Sequence, residues 1–243
     1  MAEKFIAPII TVPKARLAFA RIHEPVWRKK KDGTLDKGTP DKPKKPRYSC
    51  TLLIDPSDAA NKPVIAAIKD GALKAVEHRW GPKKDGGWPK DNATTGTKGL
   101  IFAFGLGNDL PKVYDGFADM FYVKTSELTQ PLLGTRRAVT CMLCEDGKWR
   151  KVDKAGNPIL DEELNANECP YPGCYVRARI SPWVFSNESS GVNFNIRSLQ
   201  FVEPGKAFGG GAGTRNAEEE FEQLGAGEGK EVFETAAEAD PFG

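Results

Sequence analysis

The stretch Tyr175–Val202 reads YVRARISPWVFSNESSGVNFNIRSLQFV. Two runs, Tyr175–Phe185 and Val192–Val202, alternate in character from one residue to the next, and the turn-rich segment Ser186–Gly191 joins them. Alternation of period two places successive side chains on opposite faces of a strand, so this segment reads as a β-hairpin with one face buried. In the first run Val176, Ala178, Ile180 and Val184 supply the apolar face, while Tyr175, Arg177, Arg179, Ser181, Trp183 and Phe185 share the other. In the second run Val192, Phe194 and Ile196 oppose Asn193, Asn195 and Arg197.

Working outward, other short strands surround this hairpin. Thr11–Ile22 is extended, with Leu17 and Phe19 expected on one face and Lys14, Arg16 and Ala18 on the other. Arg47–Ile54 alternates with Tyr48, Cys50, Leu52 and Ile54 inward and Arg47, Ser49 and Thr51 outward. Leu100–Phe104, Gly116–Val123 and Arg136–Leu143 read as further strands, and Trp149–Asp153 with Pro158–Leu160 as a hairpin. The one strong helix opens at the capping run Asp55–Asp58, carries Ile65, Ile68, Ala72, Leu73 and Val76 as its apolar stripe, and stops at Trp80-Gly81-Pro82. Two segments have no apolar period: the basic loop Trp27–Pro46, and residues 81–98 with Trp88 inside. Many short strands, one helix and long loops predict a mainly β chain, an OB-fold-type antiparallel Greek-key barrel. A β-sandwich is the alternative that the pattern leaves open.

The 243 residues carry a net charge of only +2, but the charge is unevenly placed. Asn216–Gly243 holds nine acids against one base, a net of −8, and the remainder is +10. Trp27–Arg47 alone has nine bases and three acids. This division predicts a binding domain over 1–203, a Gly-rich linker over 204–215 and a disordered acidic interaction tail over 216–243. No apolar run approaches the roughly 20 residues that span a bilayer, so no membrane partner is expected.

Enzymatic constellations are scarce. His23 and His78 are isolated, Gly99–Gly107 lacks the Lys-Ser/Thr of a phosphate loop, and Asp161, Glu162 and Glu163 read as a solvated turn. The five cysteines, Cys50, Cys141, Cys144, Cys169 and Cys174, are an odd number and read as buried reduced thiols. Cys141 and Cys144 fall three apart on an expected strand, which sends them to opposite faces rather than around one metal ion. No cofactor, metal or catalytic residue is expected.

The polar face of the hairpin has a physical use. Guanidinium groups neutralise phosphates, while aromatic rings stack on unpaired bases regardless of their identity. Duplex bases are already stacked, so rings combined with charge favour single strands. The candidate nucleic-acid-binding residues are Tyr175, Arg177, Arg179, Trp183 and Arg197, with Lys14, Arg16 and Arg47 on neighbouring strands and Arg28, Lys29, Lys30 and Lys31 in the basic loop. The tail, ending at Asp240, Pro241 and Phe242, suits docking in a basic-rimmed pocket of a partner or back onto the chain's own basic groove.

The segments Arg47–Asp55, Gly173–Arg179 and Gly191–Val202, together with the tail, resemble tailed-phage single-stranded DNA-binding proteins. The resemblance implies an OB-fold that coats unpaired DNA without sequence preference in phage replication, recombination and repair. It also implies contact of the tail with replication proteins such as the DNA polymerase, and location in the cytoplasm of an infected bacterium. A homodimer is carried as a further option. Gly243 after Phe242 departs from the Pro-Phe ending of bacterial relatives. An RNA-binding or strand-annealing protein, and a metal-dependent nuclease or zinc-structured replication factor, stand as alternatives.

Overall fold

The computed structural model describes residues 5–30, 32–82, 99–186, 190–206 and 208. The expectations for Lys31, Trp88, the centre of the 186–191 turn, residues 209–215 of the linker, and the tail with Asp240, Pro241 and Phe242 lie outside those residues.

In chain order the strands are β1 (Ile10–Val26), β2 (Gly38–Thr39), β3 (Lys42–Pro43) and β4 (Arg47–Ile54), followed by helix α1 (Lys62–Trp80). Then come β5 (Ile101–Phe102), β6 (Phe104–Leu106), β7 (Phe121–Glu127), β8 (Leu132–Gly134), β9 (Thr140–Leu143), β10 (Trp149–Val152) and β11 (Pro158–Glu163). The hairpin read first in the sequence is β12 (Tyr175–Ser186) and β13 (Ser190–Glu203). Neighbouring strands run β1–β4–β7–β13–β12 and back to β1, which closes a five-stranded barrel. A ring with an odd number of strands cannot alternate direction all the way round. Its one parallel seam is β7–β13, with Phe194 opposite Thr125. The other four seams are antiparallel, as expected from the sequence.

Inward-facing Leu17, Ile22, Leu52, Ile54, Val123, Val176, Ile180, Phe194 and Ile196 fill the barrel. Helix α1 packs on β1, β12 and β13 through Ile68, Ala72 and Val76. Gly71 permits that approach: a Cβ there would stand 3.1 Å from Ile10 Cδ1 and 3.6 Å from Pro182 Cγ. Asp58 caps the single 3-10 turn Ala59–Asn61 by accepting from the Ala60 N–H at 2.9 Å, and α1 starts only at Lys62. Leu73, expected in the apolar stripe, is exposed, because the buried face runs through Gly71, Ala72 and Ala75 instead.

Several strand expectations shift for identifiable reasons. Gly116 has φ of +73° and the Phe117 N–H donates to Tyr114 O, so the chain turns there and β7 begins at Phe121. The three-residue β8 is too short to show a period; it pairs in parallel with β13 at Leu132–Gly134 and starts a meander through β9, β10 and β11. The basic loop contains a small hairpin, β2–β3, tied by Lys44 to Asp36 at 2.6 Å. Phe19 does not share the face of Leu17. Residues 19 and 20 lie opposite Cys50 alone, which makes a β-bulge, and Phe19 adopts φ of +47° with its ring outward. Ala18 and Leu53 face outward yet are buried, because the 107–120 segment lies over them and seats Phe117 between Leu110, Met120, Tyr122 and Phe208.

Candidate nucleic-acid interface

Counted round the barrel in chain order, β1, β4, β7, β12 and β13 are its first to fifth strands. The 27–46 loop joins the first two, and the turn after Ser186 joins the last two. OB-type barrels receive oligonucleotides on the outer face of the second and third strands, between these two connections. Arg47 is the first residue of β4, at the root of the basic loop, while Trp183 and Phe185 end β12 at the root of the turn. The roots meet: the Arg47 guanidinium carbon lies 5.6 Å from the Trp183 ring centroid, and the Phe185 ring lies 5.9 Å from the same indole.

From Trp183 a polar row crosses the barrel wall. Trp183 stands opposite Asn193, whose Nδ2 donates to Ser126 Oγ at 3.0 Å. Ser126 stands opposite Ser49, and Ser49 opposite Arg21. The row takes four interstrand steps of about 4.8 Å, or roughly 19 Å along the surface. Beside it, exposed Lys124 reaches over the Tyr122 ring at 5.4 Å. An indole at one end, a guanidinium at the other and small polar groups between form a row suited to a flat ligand with regularly spaced charge.

A second basic group lies further along β12. Arg177 and Arg179 are exposed, with no partner among the described residues, opposite Gln200 and Ser198. Gln200 Nε2 donates to Thr135 O and Arg136 O at 3.4 and 3.3 Å, which brings Arg136 and Arg137 to the same surface. Arg137 also lies 3.9 Å from Glu168. Arg197 is the extra residue of a bulge in β13, and its Nε donates to Ser181 Oγ at 3.3 Å. Arg179 and Trp183 are four residues apart, about 13 Å along the strand.

Lys14, Arg16 and Tyr175, by contrast, have partners within the chain. Lys14 Nζ pairs with Glu203 at 2.7 Å and lies 4.8 Å from the Tyr175 ring centroid. The hydrogen bond to Glu203 raises the Lys14 pKa above its ordinary value. Arg16 donates to Lys206 O at 2.5 Å and to Gly173 O at 3.4 Å, with its guanidinium carbon 3.9 Å from the Phe208 ring centroid. These three side chains hold the chain where it leaves β13. Arg28, Lys29 and Lys30 are exposed in the basic loop, where Lys37 Nζ lies 5.9 Å from the Trp27 ring. Arg21, Tyr122, Lys124, Arg136 and Arg137 were not singled out by the sequence. The alternation of FYVKTSE at 121–127 carried the signal for Tyr122 and Lys124.

The acidic run at 161–163 lies in and beside ion pairs, Lys151–Glu162 and Lys148–Glu163, each at 2.7 Å. Among the described residues no three His, Cys, Asp or Glu side chains gather where they could hold a metal ion. Cys141 and Cys169 share a thiol hydrogen bond that holds the Cys141 thiol up, and burial pushes Cys50 up to about 12. Cys144 sits apart, half-buried at a turn closed by the Gly147 N–H.

The sequence profile of the family described as Enterobacter phage Enc34, ssDNA-binding protein, matches residues 8–233. The p50 protein of Acyrthosiphon pisum secondary endosymbiont phage 1 is 26% identical over 187 residues, 77% of this chain and 84% of that protein. The solved single-stranded DNA-binding protein from bacteriophage Enc34 in complex with ssDNA has a TM-score of 0.52 at 20% identity, covering 83% of this chain and 89% of that one. A second structure of the Enc34 protein has a TM-score of 0.50 at 20% identity, covering 85% and 87%. At such identities the structural likeness concerns the fold.

Proposed function

This chain belongs to the family of the Enterobacter phage Enc34 single-stranded DNA-binding protein, and from that premise we propose that it coats unpaired DNA without sequence preference. The observation that supports the reading best is the Arg47–Trp183 contact, which joins the root of the basic loop to the root of the β12–β13 turn across the polar row. A base stacks on the indole, phosphates follow Arg47, Arg21 and Lys124, and the basic loop closes over the strand. Arg177, Arg179 and Arg197 extend the cationic track along β12. Every base offers a ring face, so the contact is indifferent to sequence, while paired bases have none to offer. Preference for the unpaired state removes hairpins from the template and shields it from nucleases. The protein acts by occupancy rather than by catalysis.

In this reading residues 1–203 are the DNA-binding domain, 204–215 the linker and 216–243 a tail that recruits replication proteins such as the DNA polymerase. The setting is the cytoplasm of an infected bacterium, and the chain is free to work as a homodimer. A fluorescence-polarisation titration tests the core of the proposal. An unpaired DNA oligomer should bind far more tightly than its duplex, with affinity falling steeply as salt rises. Equal affinity for both forms, or binding indifferent to salt, would overturn it, and a matched RNA oligomer that outcompetes DNA would redirect it to RNA.

A further inference from the structure

We propose that Phe19 and Tyr114 form a second base-stacking platform for the DNA strand, at the far end of the polar row from Trp183; the proposal rests on the single-strand reading. Phe19 is 55% exposed and Tyr114 43% exposed, and their rings meet edge to face at 5.0 Å. Phe117, buried beneath them, holds both from below with ring centroids at 5.5 and 5.6 Å. Exposed rings fixed by a buried third ring are pre-organised, so a base that lands on them orders little that is not already ordered.

The backbone points the same way. Phe19 has φ of +47° at a bulge, a left-handed conformation that glycine adopts freely and a bulky residue adopts at a cost. A glycine would remove that cost. The chain instead keeps a phenylalanine whose ring is turned away from the core and toward solvent. The bulge that bends the strand thus also leaves one face of an aromatic ring, seated on Phe117, open to a ligand.

Position supplies the third argument. Arg21, the last member of the polar row, follows Phe19 by two residues on β1. A strand that leaves Trp183 along the row therefore arrives at Phe19. The surrounding charge is mixed, with Lys112 Nζ 5.5 Å from the Tyr114 ring and exposed Asp115 beside it in sequence, so the platform suits a base rather than a phosphate.

The test uses the full chain with Phe19→Gly and Tyr114→Leu, titrated with an unpaired DNA oligomer at several salt concentrations. Phe19→Gly should keep a cooperative unfolding transition and weaken binding about 5- to 150-fold, the range for losing one stacked base. The dependence of log affinity on log salt should stay the same, because no phosphate contact is lost. Tyr114→Leu should weaken binding in the same way, and it decides the matter if the Phe19 variant does not fold. Folded variants that bind within twofold of the parent overturn the platform while leaving the single-strand reading intact. So does a weakening that comes with a shallower salt dependence, or one that affects self-association and not DNA. A parent protein that fails to bind the oligomer overturns the single-strand reading itself.

Discussion

Replacing Arg177 and Arg179 together by alanine tests the electrostatic part of the interface with little risk of disturbing the fold. Both guanidiniums are exposed, and neither has a partner among the described residues, so no internal bond is lost. Surface substitutions of this kind change stability by no more than about 0.5 kcal/mol. The effect on binding follows from counterion release. Each phosphate neutralised on a single strand contributes about 0.7 to the slope of log affinity against log salt, so losing two contacts lowers the slope by about 1.4. Between 50 and 200 mM salt the ratio of parent to variant affinity should then shrink by about sevenfold. Polarisation titrations across that range, alongside thermal melts, measure both quantities. Lys14→Ala is the contrast: Lys14 is already paired with Glu203, so its removal should change the slope much less. A double variant with the parental slope would place Arg177 and Arg179 off the DNA path, and the argument from free, unpartnered cations would fail with it.

Three further outcomes are expected. Trp183→Ala should weaken single-strand binding by about 1–3 kcal/mol with the salt slope unchanged, whereas Trp183→Phe, which removes a buried indole N–H that has no partner among the described residues, should retain most of the affinity. Removal of residues 216–243 should tighten binding at low salt and have little effect at high salt; unchanged affinity at all salt concentrations would reject self-occlusion by the tail and leave partner docking as its role. Burial lowers the His23 pKa to about 4 beneath the edge of Trp149. The native state therefore refuses a proton that the unfolded chain accepts below about pH 6.5, so the His23 contribution to stability should be constant above that pH and fall by up to about 3 kcal/mol as pH drops toward 4. Denaturant titrations of His23→Phe should lack this component, and an identical pH profile in parent and variant would reject it.

The parts of the fold legible in the sequence are those whose partners are near in the chain. The β12–β13 and β10–β11 hairpins follow from alternation on either side of a turn, and α1 from its spacing. The closure of the barrel is not local. Phe194 meets Thr125, and Leu199 meets Leu133, across parallel seams that leave no mark on either strand taken alone. The same distance in sequence hides the meeting of Arg47 with Trp183: each was legible as a candidate, but only the ring of strands brings them to 5.6 Å. Arg16 was legible as an outward cation on β1. Its bonds to Gly173 O and Lys206 O depend on where the chain goes after β13, which period-two reasoning does not address.

Alternation misplaced Phe19, and the cause was a bulge. Register shifts fall between Val12 and Ala15, which flank Lys14, between Ala18 and Arg21, which flank Phe19, and opposite Arg179 and Ile180, where Arg197 is the extra residue. A bulge adds one residue to one strand and turns a side chain off the alternating pattern while twisting the strand more sharply. In a small barrel each strand must bend to close, so bulges are needed somewhere. Here they coincide with three of the residues that reach over the outer surface. Placing the bend at Phe19 serves both ends: the strand curves round the barrel, and the residue freed from the alternation is aimed at solvent beside Arg21. A β1 without that bulge would alternate from Leu17 to Phe19 to Arg21 on a single face. It would then have to bury a guanidinium with two apolar side chains or expose all three. The extra residue lets Leu17 enter the core while Phe19 and Arg21 both remain outside.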